Sequence, residues 1–564
     1  MRAGGRRQRG GAALARRPLV WAASVAKHGC PTQRAAELTS EQRRQFLRNA
    51  TLAASVATLP RWAWSNPPAL QNNPFALGVA SGDPAPDGMV LWTRLLLVDP
   101  AQMLSTHTVR WEVAHDAGFA QIVQKGEATA LPALGHSVHV ELQGLQPARW
   151  YHYRFMLGDA VSATGRTRTA PAVGDMPGAL RVAFASCQRW EHGHYAAWRH
   201  LAADQPDLVL FLGDYIYEYA TPKTTTDLAR THSLRHATTL ADYRDRYALH
   251  KSDPALQLAH ATCPWAVTWD DHEVQNDYAA DAGRGEGPGS AAFLAQRSAA
   301  WQAFYENMPL RTTSLRGPAS ATGWDTLQIY RRLRWGRLAH IHLLDSRQYR
   351  SWQACRTPEA SSAPAVRPAD CAELGQPQRT LLGSTQERWL DAGLAADTAS
   401  AQATRWSVIA QQTLFSPRHY PSGTVPTDAW DGYPAARQRL LQSVARHTPR
   451  NTVLLGGDIH QNYVCRVHAD AARADSAVVA SEFCGTSISS RSGTTQAKVD
   501  AIVRHNPHVL LARCDQRGYG LADITPTRWS TTLRVVDDPL RADSGASTLA
   551  RFVVEDGRAG PQAA

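Results

Sequence analysis

Several apolar segments of the sequence end on a residue that could bind a metal ion or exchange a proton. Residues 208–214 read LVLFLGD, and Tyr217 and Glu218 follow within four positions. The other segments end on Cys187 after VAFAS, on Asp270-Asp271-His272-Glu273 after AVTW, on Asp345 after IHLL, and on Asp458 and His460 after VLLGG. Ligands of open α/β sheets bind at the carboxyl ends of the strands, so we expect these residues to meet at one end of one sheet.

The residue types indicate which ions such a site would hold. Three candidates are carboxylates, which suit hard cations: Asp214, Asp271 and Asp458. The imidazole of His460 suits a transition metal. A tyrosine, with an ordinary pKa of ~10, stays neutral at physiological pH unless a strong Lewis acid removes its proton, so Tyr217 indicates a trivalent ion such as Fe(III). Cys187 could add a thiolate to the same ion.

Each of these residues also has a structural explanation. An aspartate after a strand and a glycine is often a turn or a helix cap, and residues 270–273 could be a solvated loop. Cys187 could be a small core residue, and His460 a core histidine with all its hydrogen bonds made. The combination of these residues at several strand ends favours a functional site.

The apolar pattern changes at a Pro- and Gly-rich stretch, residues 170–179. Residues 66–172 alternate in the manner of a small antiparallel sandwich, and residues 145–153 resemble the corner of an immunoglobulin or fibronectin-like fold. From residue 180 to 564, continuous apolar runs indicate strands buried on both faces, which predicts a layered α/β or α/β/β/α domain. Helical stretches are predicted at 193–205, 239–260, 291–308, 384–396 and 434–447, and STQE at 384–387 predicts a capping box at one helix start.

The first 65 residues resemble a twin-arginine export signal. Arg43 and Arg44 precede a short apolar stretch and the small-residue site Ala63-Trp64-Ser65. This predicts export through the twin-arginine translocase to the periplasm or the medium, with residues 1–38 as an over-long start; a disordered basic tail is the alternative. Nothing later reaches the ~20 apolar residues of a spanning helix, so we expect a soluble monomer without a transmembrane segment.

The net charge of +11 depends on this segment, which holds twelve of the 60 basic and two of the 49 acidic residues. The remainder has 48 basic against 47 acidic residues, so its charge indicates no nucleic-acid-binding surface.

The cysteine count is odd once the predicted signal is removed. Seven of the eight cysteines remain without Cys30, which leaves at least one thiol unpaired in an oxidising compartment. Cys355 and Cys371 flank a polar loop and are the pair that we predict to form a disulfide. The other pairings stay open.

Seven segments together resemble one family. They are FALGVASGDPAPDGMVLWTRL (75–95), FASCQRWEHGHYAAW (184–198), LGDYIYEY (212–219), WDDHEVQNDY (269–278), LLDSRQYR (343–350), GGDIHQN (456–462) and EFCGTSISS (482–490). They resemble the alkaline phosphatase D (PhoD-like) family, in order and over essentially the whole mature chain. The resemblance implies a calcineurin-like metallophosphatase α/β/β/α sandwich (180–564) behind an immunoglobulin-like domain (66–172), and hydrolysis of phosphomonoesters and phosphodiesters at a mixed iron and calcium site.

The resemblance also implies a role for each matching residue. Four residues would hold Fe(III): Cys187, Asp214, Tyr217 and His460. Asp214 would bridge to Ca(II), with Asp271 and Asp458 as further calcium ligands. His272 would face the phosphate or the leaving group, and Asn276 and Arg347 are candidates for phosphate contacts. A metal-bound hydroxide or oxide would attack phosphorus, with no covalent phosphoenzyme.

Two motifs depart from the broader metallophosphatase pattern. Asp270-Asp271-His272-Glu273 stands where Gly-Asn-His-Glu is usual, and Gly457-Asp458-Ile459-His460 where Gly-His-X-His is usual. Each replaces a neutral ligand by a carboxylate, the direction expected when Ca²⁺ takes positions that Zn²⁺ or Mn²⁺ fill elsewhere.

Several other functions stay open at this point. A phospholipase D-like phosphodiesterase would share this core and differ in the loops around it. A non-catalytic exported surface-binding protein would not need the ligand set. A redox iron protein would need two histidines and one carboxylate, and a cysteine phosphatase would need an arginine-bearing phosphate loop after Cys187.

Overall fold

The computed structural model describes residues 73–564 except 316–323, 325–326, 399–402, 449 and 474, so the predicted export signal lies outside the described residues. The helices in the described part are α1 Pro100–Met103, α2 Ala196–Ala203, α3 Leu240–Lys251, α4 Pro254–Thr262, α5 Ala291–Asn307, α6 Gly383–Thr398, α7 Pro434–His447 and α8 Gln496–Val503. No helix in this part of the chain is long and apolar enough to cross a membrane.

The strands in the same residues are β1 Val79–Ala85, β2 Gly88–Arg94, β3 His107–Ala114, β4 Ile122–Ala130, β5 Ser137–Glu141, β6 Trp150–Leu157, β7 Ala160–Val161, β8 Gly165–Arg168, β9 Leu180–Ala185, β10 Leu208–Leu212, β11 Trp265–Thr268, β12 Arg331–Trp335, β13 Ala339–Leu343, β14 Ala365–Val366, β15 Trp406–Ala410, β16 Val425–Pro426, β17 Thr452–Gly456, β18 Asn462–His468, β19 Val478–Cys484, β20 Val509–Arg513, β21 Gly518–Ile524, β22 Arg528–Val536, β23 Ala546–Glu555 and β24 Gln562–Ala563.

Two large sheets pack face to face. The first has the strand order β24-β23-β22-β21-β9-β10-β11-β1-β2-β5, and the second has the order β12-β13-β15-β17-β19-β18-β20. Leu208, Leu210 and Leu212 of β10 pack between the sheets against residues such as Ile341 and Val408. The alternate residues of β10 face the opposite way, into a core shared with helices α2 to α5. Strands buried on both faces need apolar residues at every position, which explains the continuous runs.

Helices cover the outer faces of both sheets. Residues of α2 to α5 pack on the first sheet, and Leu390 and Leu394 of α6 and Leu440 and Leu441 of α7 pack on the second. The layers are therefore α/β/β/α, one of the two arrangements predicted. The expectation that all the strand ends belong to one sheet is wrong, because β9, β10 and β11 lie in the first sheet and β13, β15 and β17 in the second. An apolar run shows that a strand is buried but not which sheet it joins.

The N-terminal residues form a β-sandwich whose one sheet continues into the large first sheet. Strands β3, β4, β6, β7 and β8 form a separate sheet that packs on β1, β2 and β5. The hydroxyl of Tyr151 accepts a hydrogen bond from the backbone N–H of Gln146 at 3.0 Å, which confirms the predicted corner. Strand β1 also pairs in parallel with β11, at Gly82 and Trp265.

Two local predictions about helices are wrong. The stretch 239–260 is two helices, because Asp253 caps α4 through the N–H groups of Ala255 and Leu256 and Pro254 cannot continue α3. Helix α6 begins at Gly383, one residue before the predicted capping box. The hydroxyl of Thr380 accepts from the N–H of Gly383, the first residue of this helix, at 2.9 Å.

The structure contains the predicted disulfide between Cys355 and Cys371, 16 residues apart. The cysteines that stay free in the described residues are buried. We expect the double variant Cys355→Ser/Cys371→Ser to lose about 3 kcal/mol of unfolding free energy, because the unfolded chain is no longer closed into a loop. Guanidinium unfolding monitored by fluorescence measures this loss, and turnover per folded molecule should stay unchanged. An unaltered unfolding midpoint would show that the bond does not stabilise the domain.

Candidate metal centre and active site

One group of residues gathers donors of four chemical kinds. Ligand atoms of Cys187, Asp214 and His460 lie within 4.8 Å of one another. The hydroxyl of Tyr217 lies 2.8 Å from Asp214 Oδ2 and 3.1 Å from His460 Nε2. All these side chains are buried or nearly so, and they follow β9, β10 and β17, so both sheets contribute. The structure thus brings together the four residues that the sequence assigned to Fe(III).

The backbone at these positions has an uncommon conformation. Cys187, Asp214, Asp458 and His460 have φ angles of 59°, 58°, 63° and 55°. A side chain other than glycine adopts this left-handed region at a cost of about 1–2 kcal/mol. Such strain persists where the surrounding structure enforces it, and it concentrates at functional sites.

A second group shares Asp214 with the first. Ligand atoms of Asp214, Asp271 and His272 lie within 4.8 Å of one another, as do those of Asp271, Asp277 and Asp428. The sequence did not identify Asp277 or Asp428. Asp277 follows the DDHE segment by four residues, and Asp428 follows no long apolar run, which left it without a signal.

Asp458 lies outside these groups but close to their charges. Its Oδ2 accepts a hydrogen bond from the hydroxyl of Thr413 at 2.6 Å. Burial raises the pKa of Asp458 to about 6; the charge of Asp271 adds to this rise, and that of Arg347 opposes it. The carboxylate therefore stands near a concentration of negative charge that a cation would relieve.

The donor set fits bound cations. Asp214 Oδ1 and Asp271 Oδ1 are buried and have no hydrogen-bond partner within the described residues. Burial raises the pKa values of Asp214 and Cys187 well above their usual ranges, and neighbouring negative charges raise them further. Buried polar atoms are almost always satisfied in native proteins, by protein groups, water or ions, and among these donors a bound ion would satisfy both oxygens. A cation would also stabilise the charged forms of both groups.

A buried glutamate that the sequence left unassigned holds His272. Glu218 Oε2 lies 2.7 Å from His272 Nδ1, and Oε1 accepts from the backbone N–H of Asn276 at 2.9 Å. Burial lowers the pKa of His272, but the charges of Glu218, Asp271 and Asp214 outweigh it and raise the pKa well above its usual value. An ionised carboxylate only accepts hydrogen bonds, so Nδ1 is the donor and Nε2 is left for another partner.

Glu273 fixes the strand ends from which the ligands project. Its carboxylate accepts from the backbone N–H groups of Asp214, Tyr215 and Asp270 at 3.1, 2.6 and 2.8 Å. One side chain thereby ties the loop after β10 to the loop after β11.

The two residues predicted to contact phosphate have different surroundings. The guanidinium of Arg347 lies 2.5 Å from Asp270 Oδ1 and 2.9 Å from Asp428 Oδ2, and its side chain is 1% exposed. In this placement it neutralises carboxylates. Asn276 is partly exposed, and its backbone N–H is bound to Glu218.

A third group of possible metal ligands is satisfied by hydrogen bonds instead. Asp397 accepts from His342 Nε2 at 3.0 Å and lies 2.5 Å from His340 Nδ1. Arg332 Nε donates to His342 Nδ1 at 3.3 Å, which leaves the proton on Nε2, the nitrogen that a metal would need. This group is a buried structural network.

The strand ends of this α/β/β/α sandwich carry a thiol, a phenol, an imidazole and several carboxylates. This set of donors is typical of a metal-dependent hydrolase. The PhoD-like phosphatase family matches residues 182–533, and the N-terminal domain of PhoD-like phosphatases matches residues 61–171. The chain therefore belongs to the PhoD-like phosphatase family, which confirms the predicted family and the predicted class of phosphoester-hydrolysing enzyme.

Two relatives agree with this assignment. Alkaline phosphatase D of Bacillus subtilis (strain 168) is 41% identical over 540 residues, which are 92% of this chain and 88% of that protein. The solved structure of PhoD is 40% identical, with a TM-score of 0.80 over 88% of this chain and 93% of that chain.

Proposed function

We propose that this protein is an exported alkaline phosphatase and phosphodiesterase that releases phosphate from small organic phosphate esters. The observation that carries the proposal is the pair of buried oxygens Asp214 Oδ1 and Asp271 Oδ1, which have no hydrogen-bond partner in the described part of the chain and lie in adjoining groups of side chains that could bind metal ions. Family membership supports hydrolysis as the reaction, and the donor types support a metal-dependent form of it.

Fe(III) would be held by Cys187, Asp214, Tyr217 and His460, and Ca(II) by Asp214, Asp271 and Asp458. Thiolate and phenolate donors favour the first ion at its position, and an all-carboxylate set favours the second. Such cations supply Lewis acidity, which stabilises charge on phosphoryl oxygens and lowers the pKa of bound water.

The residues of the chain would orient the substrate and complete the electrostatic field. His272 Nε2 makes no hydrogen bond within the described residues and would donate to the leaving-group oxygen, with Glu218 holding its ring. Arg347 would position Asp270 and Asp428, and Asn276 would contact phosphate through its side chain.

Burial raises the pKa of the Cys187 thiol, and the thiol lies among the candidate metal ligands. Both observations argue against Cys187 as a nucleophile.

Export through the twin-arginine translocase is part of the proposal. That route carries folded proteins, which suits a chain that acquires its metal ions before it leaves the cytoplasm. The mature protein would act as a monomer in the periplasm or the medium, with residues 66–172 and 180–564 as its two domains.

Elemental analysis tests the proposal directly. The full-length chain, exported and purified without chelator, is expected to contain about one iron per molecule together with calcium, and to hydrolyse aryl phosphate monoesters and diesters. Chelator treatment should remove activity, and returning the metals should restore it. Zinc or manganese in place of iron would refute the ligand assignment, and a folded protein free of metal would refute the metal-dependent function.

A further inference from the structure

Arg189 lies beside Tyr217, one of the four candidate iron ligands. Its guanidinium carbon is 5.7 Å from the ring centre of Tyr217 and 5.2 Å from that of Tyr219. The ring of His272 lies 4.1 and 5.4 Å from the same two rings. Arg189 and His272 therefore border the same two tyrosines. Their side chains are 15% and 10% exposed, so both are reached by solvent.

The backbone of Arg189 is held by the loop after β19. Its N–H donates to Ser490 Oγ at 3.0 Å, and its carbonyl accepts from Ser489 Oγ at 2.7 Å. Ser490 Oγ also lies 2.8 Å from the hydroxyl of Tyr217. Ser490 thus contacts both the candidate iron ligand Tyr217 and the backbone of Arg189, so this backbone has a set position relative to the candidate metal site.

Most of the hydrogen-bonding capacity of this arginine is unused. Arg189 Nε lies 3.3 Å from Glu191 Oε2, and Nη1 and Nη2 donate to no group in the part of the chain that the structure describes. Arg347, by contrast, is 1% exposed and engaged by carboxylates. A guanidinium with two free nitrogens is suited to bind two oxygens of one phosphoryl group.

We propose that Arg189 binds the non-bridging phosphoryl oxygens of the substrate and sets a preference for phosphate monoesters over diesters. This inference rests on the proposed function. A monoester at alkaline pH carries two negative charges, whereas a diester carries one and replaces an oxygen by an ester group. The guanidinium of Arg189 therefore attracts a monoester more strongly than a diester.

The test compares two substrates with the same leaving group, 4-nitrophenyl phosphate and bis(4-nitrophenyl) phosphate. In Arg189→Gln, kcat/KM for the monoester should fall about 10- to 100-fold, as expected for losing a charged partner at a partly desolvated site. The diester should lose less than about threefold, because it has fewer charged oxygens to bind. Arg189→Lys should recover part of the monoester activity, since it keeps the charge without the fork. Affinity for inorganic phosphate, measured by calorimetry, should fall with the monoester activity.

Arg513→Gln is the matched control, because Arg513 is a surface arginine 39% exposed and paired with Asp515 at 2.6 Å. This variant should leave kcat/KM unchanged for both the monoester and the diester. Equal losses for both esters in Arg189→Gln, accompanied by lower metal content, would overturn the proposal in favour of a structural role. Unchanged phosphate binding and monoester activity would overturn it as well. A wild type that bound phosphate through Arg189 but hydrolysed neither ester would refute the proposed function and leave the contact standing.

Discussion

Asp214→Asn is expected to abolish phosphoester hydrolysis and to lower the metal content of the purified protein. Asp214 belongs to both groups of ligand atoms, Cys187–Asp214–His460 and Asp214–Asp271–His272, so its loss affects both proposed ions. An amide has no charge and one acceptor oxygen where the carboxylate has two, so asparagine would hold either ion more weakly. Metal ions contribute several kcal/mol to stabilising the transition state, so kcat should fall at least about a thousandfold. Elemental analysis and single-turnover assays on the same preparation measure both effects.

Asp397→Asn is the control for this experiment. Asp397 is also fully buried and accepts from His342 Nε2 and from the Ser407 hydroxyl, at 3.0 and 2.6 Å. Removing its charge should lower the unfolding free energy by about 1–3 kcal/mol while metal content and turnover of the folded protein stay unchanged. Normal turnover by Asp214→Asn would show that the site has been assigned wrongly.

Most of the candidate site could be predicted because its residues come directly after apolar strands. Cys187, Asp214 and His460 each follow a run whose every residue is buried, and a strand of this kind ends at the rim of a sheet. The number of sheets could not be predicted in the same way. Contacts between distant segments decide which strands pair, and the sequence of one strand does not indicate which strand lies next to it in the sheet.

The contacts that hold the site in place were also beyond the sequence. Glu218 and His272 are 54 residues apart, and Asp345, which does follow an apolar run, contacts the backbone N–H groups of Arg347 and Gln348 rather than a ligand group. The family resemblance made Arg347 a candidate for a phosphate contact. Its carboxylate partner Asp428 is 81 residues away, so only the folded chain shows that its charge is already used.

Glu218→Gln is expected to lower kcat about 10- to 100-fold without changing the metal content, the range typical of residues that orient a functional side chain. Glu218 uses one oxygen for His272 Nδ1 and the other for the N–H of Asn276, at 2.7 and 2.9 Å. Glutamine offers one acceptor oxygen, so either the imidazole or the loop at Asn276 loses its partner. The His272 ring would then no longer be held with Nε2 available to the leaving group. Steady-state kinetics together with metal analysis measures this.

Two further variants separate orientation of His272 from a general loss of structure. In a His272→Ala background, Glu218→Gln should cost little additional activity, because the two residues act as one unit. Glu306→Gln replaces another fully buried glutamate, whose partner is Arg244 at 2.6 Å, and should reduce stability while kcat is kept. Independent, multiplicative losses from Glu218→Gln and His272→Ala would mean that Glu218 does not act through His272. The loop that carries Asn276 and Asp277 would then be its point of action, since the remaining oxygen of Glu218 holds that loop.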